Sequence, residues 1–190
     1  MLTHKGTVPI TTVRLTLKKF ERDHIHDMFR NWANDDEVTK YLTWPTHKNM
    51  AITQRVVESW VQSYESPTVY HWAIYLEEIK EVIGSISVVS LSNENEKCEI
   101  GYCIGKKYWN RGIVTEALKA VLEFLFREVG MQRIAAYFDS ENIASGKVMK
   151  KAGMSFEGTM RKYTKDSNGN FKDCKLYSIL KEEFFYEQGI

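Results

Sequence analysis

The sequence is short of several things, and each shortage narrows what the chain can be. Only three cysteines occur in 190 residues, Cys98, Cys103 and Cys174, too few and too odd in number for a disulfide framework. Cys98 and Cys103 stand an odd number of positions apart on one strand-like stretch. They therefore point to opposite faces and cannot bridge each other, and buried, unreactive thiols are expected. The three prolines are scattered, so no linker marks a domain boundary. Acidic and basic residues nearly cancel, 25 against 26, leaving a formal charge of +1. That balance argues against the broad basic face that nucleic acids require. No apolar run approaches a membrane span, and residues 1–9 lack the apolar core of a signal peptide. A cytoplasmic protein with neither membrane nor nucleic-acid partner is expected.

What is present is ordinary in kind. A content of 43% hydrophobic and 27% charged residues is close to that of an average soluble domain. A chain of this length buries roughly 70% of its unfolded surface, enough for a core without disulfides or metal. A single domain over residues 10–182 is expected, with an N-terminal extension at 1–9 and a tail at 183–190.

Hydrophobic periodicity gives the elements in order. Val13, Leu15 and Leu17 alternate with polar residues as a half-buried strand. Asp23 suits the N-cap of a helix carrying Ile25, Met28, Phe29 and Trp32 at helical spacing. A short helical piece over residues 35–41 should stop before Pro45, and residues 50–64 repeat an amphipathic stripe. Strand signals at 70–76 and 82–91 flank a charged turn, a hairpin pattern, and residues 98–104 make a neighbouring strand. A helix over 113–129 ends at Gly130, a strand follows at 132–138, and a second helix at 142–152 ends at Gly153. Strands at 154–163 and 175–183 surround a turn at 166–170, where Asn168-Gly169 favours reversal. The fold class is mixed α+β: a central, mostly antiparallel twisted sheet of about seven strands flanked by helices.

The strand at 98–104 runs through Gly105 and two lysines into Trp109-Asn110-Arg111-Gly112 and straight into a helix. Such a junction presents unpaired backbone N–H groups at the positive end of the helix dipole, a ready site for phosphate. Gly112 permits close backbone approach, Asn110 tolerates a left-handed conformation, and Lys106, Lys107 and Arg111 add positive charge. On spacing alone, an ordinary charged loop before an amphipathic helix explains the segment equally well. A Walker loop, a dinucleotide fingerprint and a nucleophile elbow are all absent.

Three pieces in order carry a resemblance. Glu99-Ile-Gly-Tyr102 with Tyr108-Trp-Asn-Arg-Gly112 and Thr115-Glu-Ala117 resembles the acyl-CoA signature of the GNAT (GCN5-related N-acetyltransferase) superfamily. Downstream, Asn142-Ile-Ala-Ser145, Lys150-Lys-Ala-Gly153 and Phe156-Glu-Gly158 resemble the second half of that domain. With Asp36-Glu-Val38 and Tyr41-Leu-Thr-Trp44 upstream, the chain is most similar to the ribosomal-protein N-acetyltransferase (RimJ/RimL-like) branch over about residues 10–182. Two positions depart from the signature: Lys107 stands where Gln or Arg is usual, and Asn110 where glycine is usual.

The resemblance implies acetyl transfer from acetyl-CoA to a primary amine by direct attack. It implies cofactor contacts from Cys103, Ile104, Lys107, Trp109, Asn110, Arg111, Gly112, Ile113, Val114, Thr115, Asn142 and Ser145. It also makes Glu99 a candidate base acting through water, and Ser145 a candidate proton donor to the departing thiolate. The residue-level alternatives are a solvated strand carboxylate for Glu99 and a helix-capping serine for Ser145. Tyr41, Trp44 and Tyr102 are candidates for the acceptor pocket, with core packing as the alternative. The acceptor is a protein N-terminus or a small amine such as a polyamine or aminoglycoside; a non-catalytic acyl-CoA-binding module is the reading from another class. His24 and His26 face different directions on a helix and make a poor metal pair, and no metal is expected. The chain is expected to be a monomer or homodimer, with Phe184-Phe185-Tyr186 either docking on the core or meeting a second copy.

Overall fold

The computed structural model describes residues 1–187. Eight strands form one sheet in the order β1-β2-β3-β4-β5-β6-β8-β7. They are β1 (Ile10–Thr11), β2 (Leu15–Lys18), β3 (His71–Leu76), β4 (Glu81–Ser92), β5 (Lys97–Ile104), β6 (Arg133–Asp139), β7 (Ser155–Lys165) and β8 (Phe171–Leu180). Every pair is antiparallel except β5 with β6. The helices are α1 (Ile25–Met28), α2 (Asp36–Thr39), α3 (Met50–Ser63), α4 (Ile113–Phe124), α5 (Ile143–Lys151) and α6 (Lys181–Glu187). Wide π-helical turns extend α1 through Phe29–Ala33 and α4 through Leu125–Val129.

Strand alternation divides the apolar side chains between two cores. Leu15, Leu17, Trp72, Ile74, Ile86, Cys98, Ile100, Ile134 and Ala136 pack under Ala117, Leu118, Val121 and Leu122 of α4. Ala73 and Val82 pack with Met28, Trp32 and Val57 on the other face, where Cys103 joins them. Cys98 and Cys103 thus lie on opposite faces, as their odd spacing requires. All three cysteines are free thiols, and burial raises each: Cys98 to about 12, Cys174 to about 11, and Cys103 likewise upward.

The structure corrects some sequence expectations. Glu21, not Asp23, caps the first helical turn, Arg22–His24: its side chain takes the His24 N–H while His24 Nδ1 accepts the Glu21 N–H at 3.0 Å. Val13 is fully exposed and precedes the strand, because the chain turns at Thr12, whose N–H donates to the Leu15 carbonyl. The last strand ends at Leu180, and residues 181–183 open α6. There Glu183 folds back to accept the Leu180 N–H at 2.9 Å, a first-turn carboxylate meeting free helix donors. Phe184 docks on Phe126, 5.1 Å between centroids, while Tyr186 is exposed. The eighth strand, absent from the expected seven, is the two-residue β1.

Candidate active site

β5 and β6 pair only at Lys97–Glu99 with Arg133–Ala135. Beyond Glu99 the strands part, leaving the β6-facing edge of β5 without a strand partner. A register slip in β4 between Val88 and Ser90, opposite Ile100 and Glu99, sits at the same level. A bulge adds local twist and bends its strand, which helps β5 turn away here. The outcome is a cleft with a cavity at each side.

One cavity, about 430 Å³, lies at the N-terminus of α4. Asn110 (φ 59°) and Gly112 (φ 72°) both adopt the left-handed region, and Gly112 is the N-cap of α4. The two together turn the loop so that the first helical N–H groups are left free at the cavity. Thr12 and Arg14 brace the junction. The Thr12 hydroxyl and the Arg14 guanidinium donate to Glu116 at 2.6 and 2.7 Å, and Arg14 also reaches the Arg111 carbonyl at 2.9 Å. Burial would raise Glu116, but these bonds and the Arg14 N–H hold it below its ordinary value. Trp109 is fixed by its indole N–H on the Ile104 carbonyl, 2.9 Å.

Of the expected cofactor residues, Cys103, Ile104, Trp109, Asn110, Arg111, Gly112, Ile113, Val114, Thr115, Asn142 and Ser145 line this cavity. Lys107 does not; it is exposed, with its ammonium over the Tyr108 ring. Sequence reasoning missed Lys147 and Lys151, which project from α5 into the same lining. Their i,i+4 spacing was the available signal. It also missed Glu37, which pairs with Lys106 at 2.6 Å across the mouth. The left-handed loop, the open helix end, the unpaired β5 edge and the lysines of α5 together fit an acyl-CoA with its phosphates at α4.

The second cavity, about 500 Å³, opens on the other side and is lined by Tyr41, Trp44 and Tyr102, the three expected acceptor residues, among many others. Tyr41, Leu42, Tyr102, Cys103, Asn142 and Ser145 line both cavities. At their junction the Tyr102 phenol donates to the Ser145 carbonyl at 3.1 Å and meets its hydroxyl at 3.0 Å. Burial holds that phenol well above its ordinary value. Asn142 caps α5, its side-chain oxygen accepting the Ser145 N–H at 3.3 Å, so its amide NH2 stays available. Glu99 is half-buried, its carboxylate has no hydrogen-bond partner among the described residues, and it lines neither cavity. Its charge reaches into the acceptor side: Tyr137 and Tyr163 are raised by burial first, with Glu99 among the further causes. The cavity's carboxylates are Asp139, with Lys172 at 3.5 Å, and Asp166, which binds the turn at Asn170.

The histidines are mostly occupied by structure. His47 Nδ1 meets the Thr53 hydroxyl at 2.8 Å beneath Trp44. Glu21, Asp23 and His24 come close enough to share an ion, but they line neither cavity, and His24 Nδ1 is used in the cap.

Comparison with known proteins decides the family. Residues 14–155 match the family model described as acetyltransferase (GNAT) domain. The chain belongs to the GNAT acetyltransferase family. The N-acetyltransferase YnaD of Bacillus subtilis (strain 168) is 31% identical over 181 residues, covering 92% of this chain and 98% of that protein. The ribosomal protein uS5-alanine N-acetyltransferase of Escherichia coli (strain K12) is 28% identical over 128 residues, 64% of this chain and 62% of that enzyme. A GNAT-family acetyltransferase from Bacillus anthracis superposes with a TM-score of 0.80 at 28% identity, covering 92% of this chain and 99% of its own. These relatives bear out the expected family and its ribosomal-protein acetyltransferase affinity: the protein is an acetyl-CoA-dependent N-acetyltransferase. No helix among the described residues is long and apolar enough to cross a membrane.

Proposed function

We propose that this GNAT enzyme acetylates the α-amine of a protein or peptide N-terminus. The observation that carries the reading is the meeting of two cavities at Tyr102, Cys103 and Ser145. Thioester and acceptor can occupy the cleft together, which direct attack requires.

The amine arrives as an ammonium and first gives up a proton. At pH 7 this costs a lysine ε-amine about 4.6 kcal/mol and an α-amine only about 1–1.4 kcal/mol. A site whose candidate base, Glu99, stands outside the cavity lining and acts through water is better matched to the easier proton. The amine nitrogen then attacks the carbonyl carbon, the C–S bond breaks, and the nitrogen loses its second proton. That second proton passes through water toward Glu99, while the thiolate takes a proton from Ser145, whose hydroxyl is bonded to Tyr102 and is reprotonated from solvent to close the cycle. The acceptor cavity also argues against polyamines and aminoglycosides, since Asp139 and Asp166 are its carboxylates and Lys172 sits beside Asp139.

The test is thiol release from acetyl-CoA with peptides, polyamines and aminoglycosides, the product located by mass spectrometry. Acetyl on the α-nitrogen, with N-terminally blocked lysine peptides inert, is expected. Turnover of small amines alone would move the acceptor class, and CoA binding without turnover on any amine would leave a binding module.

A further inference from the structure

The acceptor-cavity wall built by β3 and β4 carries hydrogen-bonding capacity that the fold does not use. His71 opens β3 and lines the cavity. Its ring packs edge-on against Trp60 and Phe20, with centroids at 4.1 and 5.2 Å. The His71 N–H donates to the Thr7 hydroxyl and its carbonyl accepts from the Tyr64 phenol. Neither ring nitrogen has a partner among the described residues. Desolvation pushes the imidazole down to about 4, so near neutrality it is uncharged, with one N–H donor and one free lone pair. Trp32, fully buried in the same lining, has an indole N–H with no partner. A buried donor left unpaired costs about 1–3 kcal/mol, and the Trp32 indole and the partly buried His71 ring, both packed against Phe20, leave hydrogen-bonding capacity open in the lining of one cavity.

Register puts these groups within reach of the reacting end. His71 pairs with Ser87, and Ser87 with Gly101, in one row across β3, β4 and β5. Gly101 lies two residues past Glu99, where β5 leaves β6. Two strand spacings, about 10 Å, separate His71 from the cleft. An extended peptide covers that with its first two residues, about 7 Å of backbone, and a side chain. The lining carboxylates belong to β6 and the β7–β8 turn, so the His71 wall carries no negative charge to pair with a cation.

We propose that His71 is a specificity-determining residue that reads an uncharged hydrogen-bonding group, a hydroxyl or an amide, on the first or second side chain of the acceptor, and that disfavours cationic side chains there. This rests on the N-terminal acceptor reading above.

The test uses the full chain and two peptide sets, one varied only at the first residue and one only at the second, through glycine, serine, asparagine, leucine and lysine. Two readouts are taken: kcat/KM by thiol release, and affinity for the CoA-bound protein by quenching of Trp44 and Trp60. The wild type should favour serine and asparagine over leucine and lysine. His71→Leu should cost the serine and asparagine peptides about tenfold in both readouts and leave glycine and leucine peptides unchanged. His71→Asn, which keeps a neutral donor and acceptor, should retain most of the preference and carries the test if the leucine variant melts early. A uniform loss across the panel, or none, overturns the assignment. Selective binding without turnover would sink the transferase reading and keep this one. Turnover indifferent to both varied residues would sink this one alone.

Discussion

The cofactor cavity draws most of its lining from two stretches, residues 102–115 and 141–151, while the acceptor cavity gathers side chains from strands on both sides of the β5–β6 split and from the α2–α3 loop. The first is largely a backbone site: a left-handed loop, a free helix end and an unpaired strand edge. The second is a side-chain site, walled by Trp44, Trp60, His71 and Tyr137. Backbone sites are set by local sequence, so one motif can specify one. Side-chain sites depend on which distant strands become neighbours, and no motif records that.

The sharpest challenge falls where the two regions touch. Ser145→Ala should lower kcat about a hundredfold, as loss of a proton donor does, with little change in acetyl-CoA affinity. Stopped-flow binding and steady-state turnover separate the two. Equal loss in both would make Ser145 part of the cofactor cradle. Unchanged turnover would remove it from the mechanism.

Gly112→Val attacks the backbone site alone. A β-branched residue at φ 72° strains the N-cap by about 1–3 kcal/mol, so the KM for acetyl-CoA should rise about tenfold while peptide affinity is kept. Asn110→Ala is the milder version. At φ 59° alanine loses about 1–2 kcal/mol relative to glycine, and a few-fold weaker CoA binding is expected. Asn110→Gly, the residue usual in this family's signature, should match or improve on the native chain. If Asn110→Gly weakens binding, the asparagine side chain itself touches the ligand.

Legibility in the sequence followed the same division. The loop from Trp109 to Gly112, the α4 stripe and the Asn142–Ser145 cap could all be read locally, because each is fixed by neighbours within a few residues. The two faces of β5 were readable from parity, as Cys98 and Cys103 demonstrate. Where long-range contacts compete, sequence failed. Asp23 looked like a cap, yet His24 completes a reciprocal pair with Glu21. Residues 181–183, Lys-Glu-Glu, carry nothing apolar to mark a break from the strand before them, and the docking of Phe184 on Phe126 settles them as helix. No local pattern marks His71, because its surroundings come from Trp60 on α3, Ser87 on β4 and Gly101 on β5.

The smallest effect concerns the acceptor cavity's far wall, which the β7–β8 hairpin supplies through residues 164–166 and Lys172. Arg133 grips Glu157 with two nitrogens, at 2.5 and 2.6 Å, and the Ser178 hydroxyl adds a bond of 2.6 Å. These partners, Arg133 foremost, hold Glu157 down to about 2 from 4.5. A folded pKa below the unfolded one means the stabilisation is complete above about 4.5 and drains away as pH falls toward 2. Because both side chains are about a third exposed, solvent screening leaves about 1 kcal/mol. Glu157→Gln should therefore melt slightly earlier at neutral pH and lose less stability than the native chain between pH 4.5 and 2. Acetyl-CoA affinity should not move, since the pin lies across the sheet from α4. If it did move, the two cavities would be mechanically coupled through β6, and the separation drawn between a backbone site and a side-chain site would fail.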